Sequence, residues 1–130
     1  MNEVEAKKYL LSKPETLEDF PFGDDVSVFK VKGKMFATLA LGTGNEKDTG
    51  SKMAGYYCMN LKCDPEEAAM LRDIFSSVIP GYHMNKKLWN TIILDGSIPQ
   101  GEIERMIDNS FMLVVNKMTK KDQQSILVHL

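Results

Sequence analysis

The chain has 130 residues, 43% hydrophobic and 26% charged, with a formal net charge of −2. That is enough for one domain, residues 1–130, burying roughly two-thirds of its unfolded surface without a disulfide staple. The longest apolar run, Phe111-Met112-Leu113-Val114-Val115, is far short of the ~20 residues of a membrane span, and the acidic opening Met1-Asn2-Glu3-Val4-Glu5 lacks the apolar core of a signal peptide. A membrane protein and a secreted disulfide scaffold are excluded, so the expected location is the cytoplasm.

In chain order, Asn2 with Glu5 three residues on reads as a capping box that opens a helix, which Ser12-Lys13-Pro14 must end. Val26 to Val31 and Lys34 to Leu41 alternate as strands around Lys32-Gly33, a two-residue hairpin turn. Gly42 to Gly55 holds four glycines among polar residues and reads as a long loop. A third strand runs from Tyr56 to Cys63. Asp64-Pro65-Glu66-Glu67 supplies a cap, a proline at the first helical position and acidic residues in the first turn. Behind it Ala68, Leu71, Phe75 and Val78 recur at helical spacing until Pro80-Gly81 stops the run. Tyr82 to Asn85 and Trp89 to Leu94 read as a second hairpin, with Lys86-Lys87-Leu88 near its turn. Asp95-Gly96 ends that strand. After Ser97, Pro99 to about Lys117 reads as a helix, and a short helix can follow from Lys120.

The expected fold is therefore α+β in two layers, an antiparallel five-stranded sheet with helices on one face, in the order α-β-β-β-α-β-β-α.

Chemistry-bearing patterns are sparse. Cys58 and Cys63 are an odd number of residues apart on a predicted strand, which places them on opposite faces, unable to bridge or to share a metal. With only His83 and His129 besides, neither a metal nor a cofactor is expected. The stretch Gly44 to Lys52 has five residues between its glycines and then Ser51-Lys52, the wrong gap and order for a phosphate loop. No Gly-x-Ser-x-Gly, His-Glu-x-x-His or zinc-deaminase pattern occurs, so the chain is not expected to be an enzyme. The nine methionines are scattered and fit core gaps better than a binding surface.

Charge is segregated beneath the small net value. Residues 1–25 carry three Lys against seven Asp and Glu, whereas residues 26–63 carry six Lys against Glu46 and Asp48. Lys30, Lys32 and Lys34 surround one predicted turn, and Lys86 and Lys87 the other. Basic hairpins of this kind suit phosphate contacts, although lysines also protect edge strands from aggregation.

Several strings then carry a family resemblance. They are Phe20-Pro21-Phe22-Gly23-Asp24-Asp25-Val26, Val28-Phe29-Lys30-Val31-x-Gly33-Lys34-Met35-Phe36-Ala37, Leu61-Lys62-Cys63-Asp64-Pro65-Glu66 and Leu94-Asp95-Gly96-Ser97-Ile98-Pro99. The most specific is Pro80-Gly81-Tyr82-His83-Met84-Asn85-Lys86-Lys87-x-Trp89-Asn90-Thr91. Together these strings, from about residue 3 to about residue 124, resemble the MmcQ/YjbR family.

That resemblance implies a curved antiparallel sheet packed by helices, related to the frataxin (CyaY) and secretion-chaperone folds. It also implies a double-wing role in binding double-stranded DNA, without catalytic residues. This chain departs from the family pattern at Lys87, usually Arg, at Phe111, usually Tyr, and in its longer Gly42–Gly55 loop.

For the matched residues two readings stand side by side. Lys30, Lys32, Lys34 and Lys62 contact phosphate or line the solvent side of strands. His83 contacts phosphate or fixes a turn. Asn85 reads an adenine edge or shapes a turn, and Trp89 stacks on a base or lies in the core. Lys86 and Lys87, adjacent at a turn, are the strongest phosphate candidates. The functional expectation is a non-enzymatic DNA-binding protein gripping the phosphate backbone through basic hairpins. The alternative is a protein-interaction or chaperone-like module that meets a protein partner with its exposed sheet face.

Overall fold

The structure is a computed structural model, and it describes residues 1–46 and 52–129. Of the predicted Gly42–Gly55 loop, residues 47–51 lie outside the described residues, as does the centre of the rejected phosphate-loop stretch.

The first helix, α1 (Glu3–Leu11), begins as its cap requires. The Asn2 side chain accepts the Glu5 N–H at 2.9 Å, and the Glu5 carboxylate accepts the Asn2 N–H at 3.1 Å. Next comes β1 (Thr16–Asp19), a strand with no precedent in the sequence pattern. It has one apolar residue, Leu17, which is 72% exposed, and its existence depends on pairing with the free edge of β2 (Val26–Val31). The β2 strand turns into β3 (Lys34–Leu41) at Lys32 and Gly33, with φ of 47° and 77°. Positive φ at both central residues is the hairpin turn whose twist matches the flanking strands.

After the loop comes β4 (Tyr57–Lys62), then α2 (Pro65–Ile74), capped by the Asp64 side chain on the Glu66 N–H. The helix is shorter than its apolar spacing suggests. Phe75 turns into extended backbone, and Val78 belongs to β5 (Val78–Pro80) rather than to the helix. The partner of β6 (Trp89–Ile93) is thus β5, not Tyr82 to Asn85, which lie in the connecting loop 81–88. The chain closes with α3 (Gln100–Val115) and α4 (Lys120–Leu127). The α3 helix starts behind Pro99 with no side-chain cap, while Ser97 instead ties back to Asp95.

Among the described residues the result is one antiparallel sheet of six strands, not five, in the order β1-β2-β3-β4-β6-β5, with four helices. Strand alternation gives each face a separate core. Phe29, Ala37, Leu39, Met59, Leu61 and Ile92 join Leu10 of α1, Leu71 of α2, Ile107 and Phe111 of α3 and Ile126 of α4 in the larger one. On the opposite face Cys58 and Ile93 meet Met53, with no helix residue among them. The two cysteines are free and divided between these cores, Cys58 in the smaller and Cys63 in the larger. Helices therefore cover one face, and loops partly roof the other.

The neck of the 42–55 loop explains one glycine. A Cβ on Gly42 would sit 1.8 Å from the Met53 carbonyl oxygen, so only glycine allows this closure, which the Gly55 N–H to Gly42 carbonyl bond at 3.1 Å completes.

Candidate nucleic-acid interface

The predicted basic residues do not form two equivalent wings. Lys30 is engaged by Asp19 and Lys32 by Glu15, at 3.0 and 3.1 Å. Those lysine contacts hold both carboxyls below the usual carboxylate range. At the second hairpin the Lys86 ammonium donates to the Gly81 carbonyl at 2.9 Å, folding the loop back on its own start. Asn85 accepts the N–H groups of Lys87 and Leu88 at 3.0 and 3.2 Å, the work of a turn-forming side chain. Trp89 is only 9% exposed, and its carbonyl accepts the Gly81 N–H at 2.9 Å. The base-stacking reading of Trp89 is corrected accordingly: its burial leaves the indole face to the protein. Lys87 stays exposed at the loop surface.

A different grouping emerges where the β2–β3 turn, the end of β4 and the end of α3 meet. Lys32, Lys34, Lys62 and Lys117 line one concavity of about 480 Å³, and Asp122 is the one carboxylate among its lining residues. Its framework is tied together by hydrogen bonds. Ser110 of α3 donates to the Phe36 carbonyl at 2.6 Å and accepts the Lys62 N–H at 2.9 Å, fixing the helix against both strands. Thr119 caps α4 beside it through the Asp122 N–H at 3.2 Å. Burial and then the neighbouring Lys117 charge push the Lys62 ammonium below the ordinary lysine range. Among the described residues Lys34, Lys62 and Lys117 make no ion pair. Lys117 was not anticipated. Residues 117–130 carry three Lys against Asp122, a basic tail that does not say which strand end it meets.

The free sheet face carries a second concavity, about 450 Å³. Its floor is a polar strip of directly opposed residues on three strands, Thr38, Asn60 and Thr91. The Thr91 hydroxyl donates to the Asn60 side-chain oxygen and accepts the Tyr82 N–H at 2.9 Å. Asn60 donates in turn to the Tyr82 carbonyl at 3.4 Å. His83, at φ 59°, presents its ring beside that of Tyr82, with centroids 4.1 Å apart. Met35 lines both concavities.

Among the described residues no group of three or more His, Cys, Asp or Glu side chains gathers to hold a metal ion. Among them also, no helix is long and apolar enough to cross a membrane.

A six-stranded antiparallel sheet with helices on one face and a lysine-lined notch at one end defines an α+β protein with a basic surface site. The chain belongs to the YjbR family, whose model matches residues 11–113. It is 33% identical over 121 residues to the uncharacterized protein YbdF of Escherichia coli O157:H7, covering 93% of this chain and 90% of that one. It is 30% identical over 126 residues to the uncharacterized protein YjbR of Escherichia coli K12, covering 97% of each. Two solved structures share the fold at 31% identity. A Deinococcus radiodurans protein of domain family DUF419 superposes with TM-score 0.79 over 96% of this chain and 87% of its own. A Pseudomonas syringae protein does so with TM-score 0.74 over 87% of this chain and 98% of its own.

Proposed function

We propose that this protein binds the phosphate backbone of DNA, without catalysing a reaction, at the notch formed by Lys32, Lys34, Lys62 and Lys117. The observation that carries this reading is the juxtaposition of Lys62 and Lys117. Both ammonium groups line the same notch, where burial first and the Lys117 charge second push the Lys62 ammonium below the ordinary lysine range. Such a pair works against the fold until an anion arrives. Phosphates spaced along a strand relieve the repulsion and release counterions at the same time. Backbone contacts of this kind position the protein without reading sequence.

The test is a titration of mixed-sequence duplex DNA at several salt concentrations. With about three to four phosphates engaged, log affinity falls against log salt with a slope of roughly −3. Lys34→Glu with Lys117→Glu removes about two units of that slope, whereas Lys86→Glu with Lys87→Glu, equal in charge, changes it much less. No binding at low salt, or equal loss in both doubles with an unchanged slope, overturns the proposal. The second outcome favours the competing reading, a partner protein on the free face. That reading is supported by Phe22 and Leu41, which are 68% and 51% exposed at the rim of its concavity.

A further inference from the structure

The two concavities are neighbours that share Met35 as a lining residue. One is lined with ammonium groups. The other is mostly apolar, with a polar floor of Thr38, Asn60 and Thr91 and further polar side chains at Glu46, Tyr82 and His83. A nucleotide has this same division: a charged phosphate and, one sugar away, a flat apolar ring whose edge carries donors and acceptors. At about 450 Å³ the free-face concavity lies within the range of small-ligand pockets, about 300–1,000 Å³.

Its groups suit a base in detail. Among the described residues the Thr38 hydroxyl has no hydrogen-bond partner, and the Asn60 amide holds the Tyr82 carbonyl only at 3.4 Å, a bond long enough to yield to a ligand acceptor. Tyr82 and His83 add a ring pair at one wall. His83 holds this position in left-handed backbone, a conformation that non-glycine residues adopt at a cost. One carboxylate, Glu46, is among the lining residues, and it accepts from the Thr43 and Gly44 N–H groups at 2.7 and 2.8 Å. Its charge acts on Cys58, which pairs with Ala40 near the end of β3.

We infer that the free-face concavity receives one unpaired nucleobase from a DNA strand whose adjoining phosphates lie on the lysine notch. This rests on the phosphate-binding reading and adds to it the state of the DNA, because a base paired and stacked in a duplex cannot enter a side pocket without leaving the stack. The pocket favours single strands, and the base contributes affinity through ring contacts and the Asn60 and Thr38 groups.

The test measures binding of the full chain to three probes by fluorescence anisotropy: a single-stranded oligothymidylate, the same strand with abasic sugars, and a duplex. The intact strand is expected to bind at least about tenfold tighter than the abasic strand. Ala40→Leu, which fills the pocket from β3, is expected to bring the intact strand down to the abasic level and leave abasic binding unchanged. As a check independent of that variant's folding, the methyl resonances of Met53 and Met84, which line the free-face concavity and not the lysine notch, should shift in the wild-type protein with a thymidine trinucleotide and not with its abasic form.

Equal affinity for intact and abasic strands, or methyl shifts common to both, overturns the inference, and a retained salt slope then leaves the phosphate reading standing. Absence of binding to all three probes overturns both.

Discussion

The hydroxyl of Ser110 donates to the main-chain carbonyl of Phe36 across 2.6 Å, joining the middle of α3 to the start of β3. Phe36 is the extra residue of a β-bulge. Phe29 pairs with Ala37 and Lys30 with Met35, leaving Phe36 without a cross-strand partner in β2. Its carbonyl would be an orphan in a buried place, and the serine supplies the missing donor. Because the same hydroxyl accepts the Lys62 N–H, one buried side chain serves the bulge and the end of β4 together.

Ser110→Ala removes both bonds and leaves the two main-chain groups unpaired. The expected loss is about 1–3 kcal/mol, read from urea denaturation as a lower midpoint with an unchanged slope. Faster hydrogen exchange at the Lys62 amide should accompany it. An unchanged midpoint would show that water replaces the hydroxyl at no cost.

A site that gathers like charges should trade stability for binding. Lys117→Met relieves the repulsion on Lys62 and keeps the aliphatic stem, so the free protein is expected to gain about 0.2–0.5 kcal/mol. The same variant should bind duplex DNA several-fold more weakly at low salt. Parallel thermal melts and titrations check this, and loss of both stability and binding would mark Lys117 as a structural residue instead.

The pH dependence of stability has a local contributor in Asp95. Burial alone would raise its carboxyl, but the Ser77 and Ser97 hydroxyls and the Ser97 N–H together hold it below the ordinary aspartate value. A carboxyl depressed in the folded state stabilises at pH values above its unfolded pKa of about 4. That contribution is lost as pH falls through the folded value. Asp95→Asn should therefore cost stability at pH 7, at most about 1 kcal/mol because solvent screens this exposed residue. The gap to wild type should narrow toward pH 2, in denaturation curves recorded at both ends.

Both thiols should be inert in the native state. Burial, with nearby carboxylates second, pushes Cys58 up to about 12 and Cys63 up to about 11. Thiolate is the reactive form. Ellman's reagent at pH 8 is thus expected to label neither within minutes and both after unfolding. Rapid labelling of the native protein would show that one of the two cores opens locally.

What the sequence determined by itself lies where the signal is local. The Asn2–Glu5 box, the Lys32-Gly33 turn and Asp64-Pro65 fix the starts of α1, β3 and α2, because caps and tight turns act within four residues. Membership of the family was legible for a related reason: its strings are turn and cap chemistry at set spacings. Only the tertiary structure decided the rest. Thr16–Asp19 has one apolar side chain and becomes a strand because β2 offers an open edge. Phe75 and Val78 continue a helical spacing, yet the chain leaves α2 so that Val78 can pair with Ile92. Lys62 and Lys117 became neighbours because Ser110 anchors α3 at the end of β4, which sets α3's last turn beside that strand end. No local pattern marks that meeting, since the energy that brings the two lysines together comes from burying the apolar side chains between helix and sheet and not from the lysines themselves.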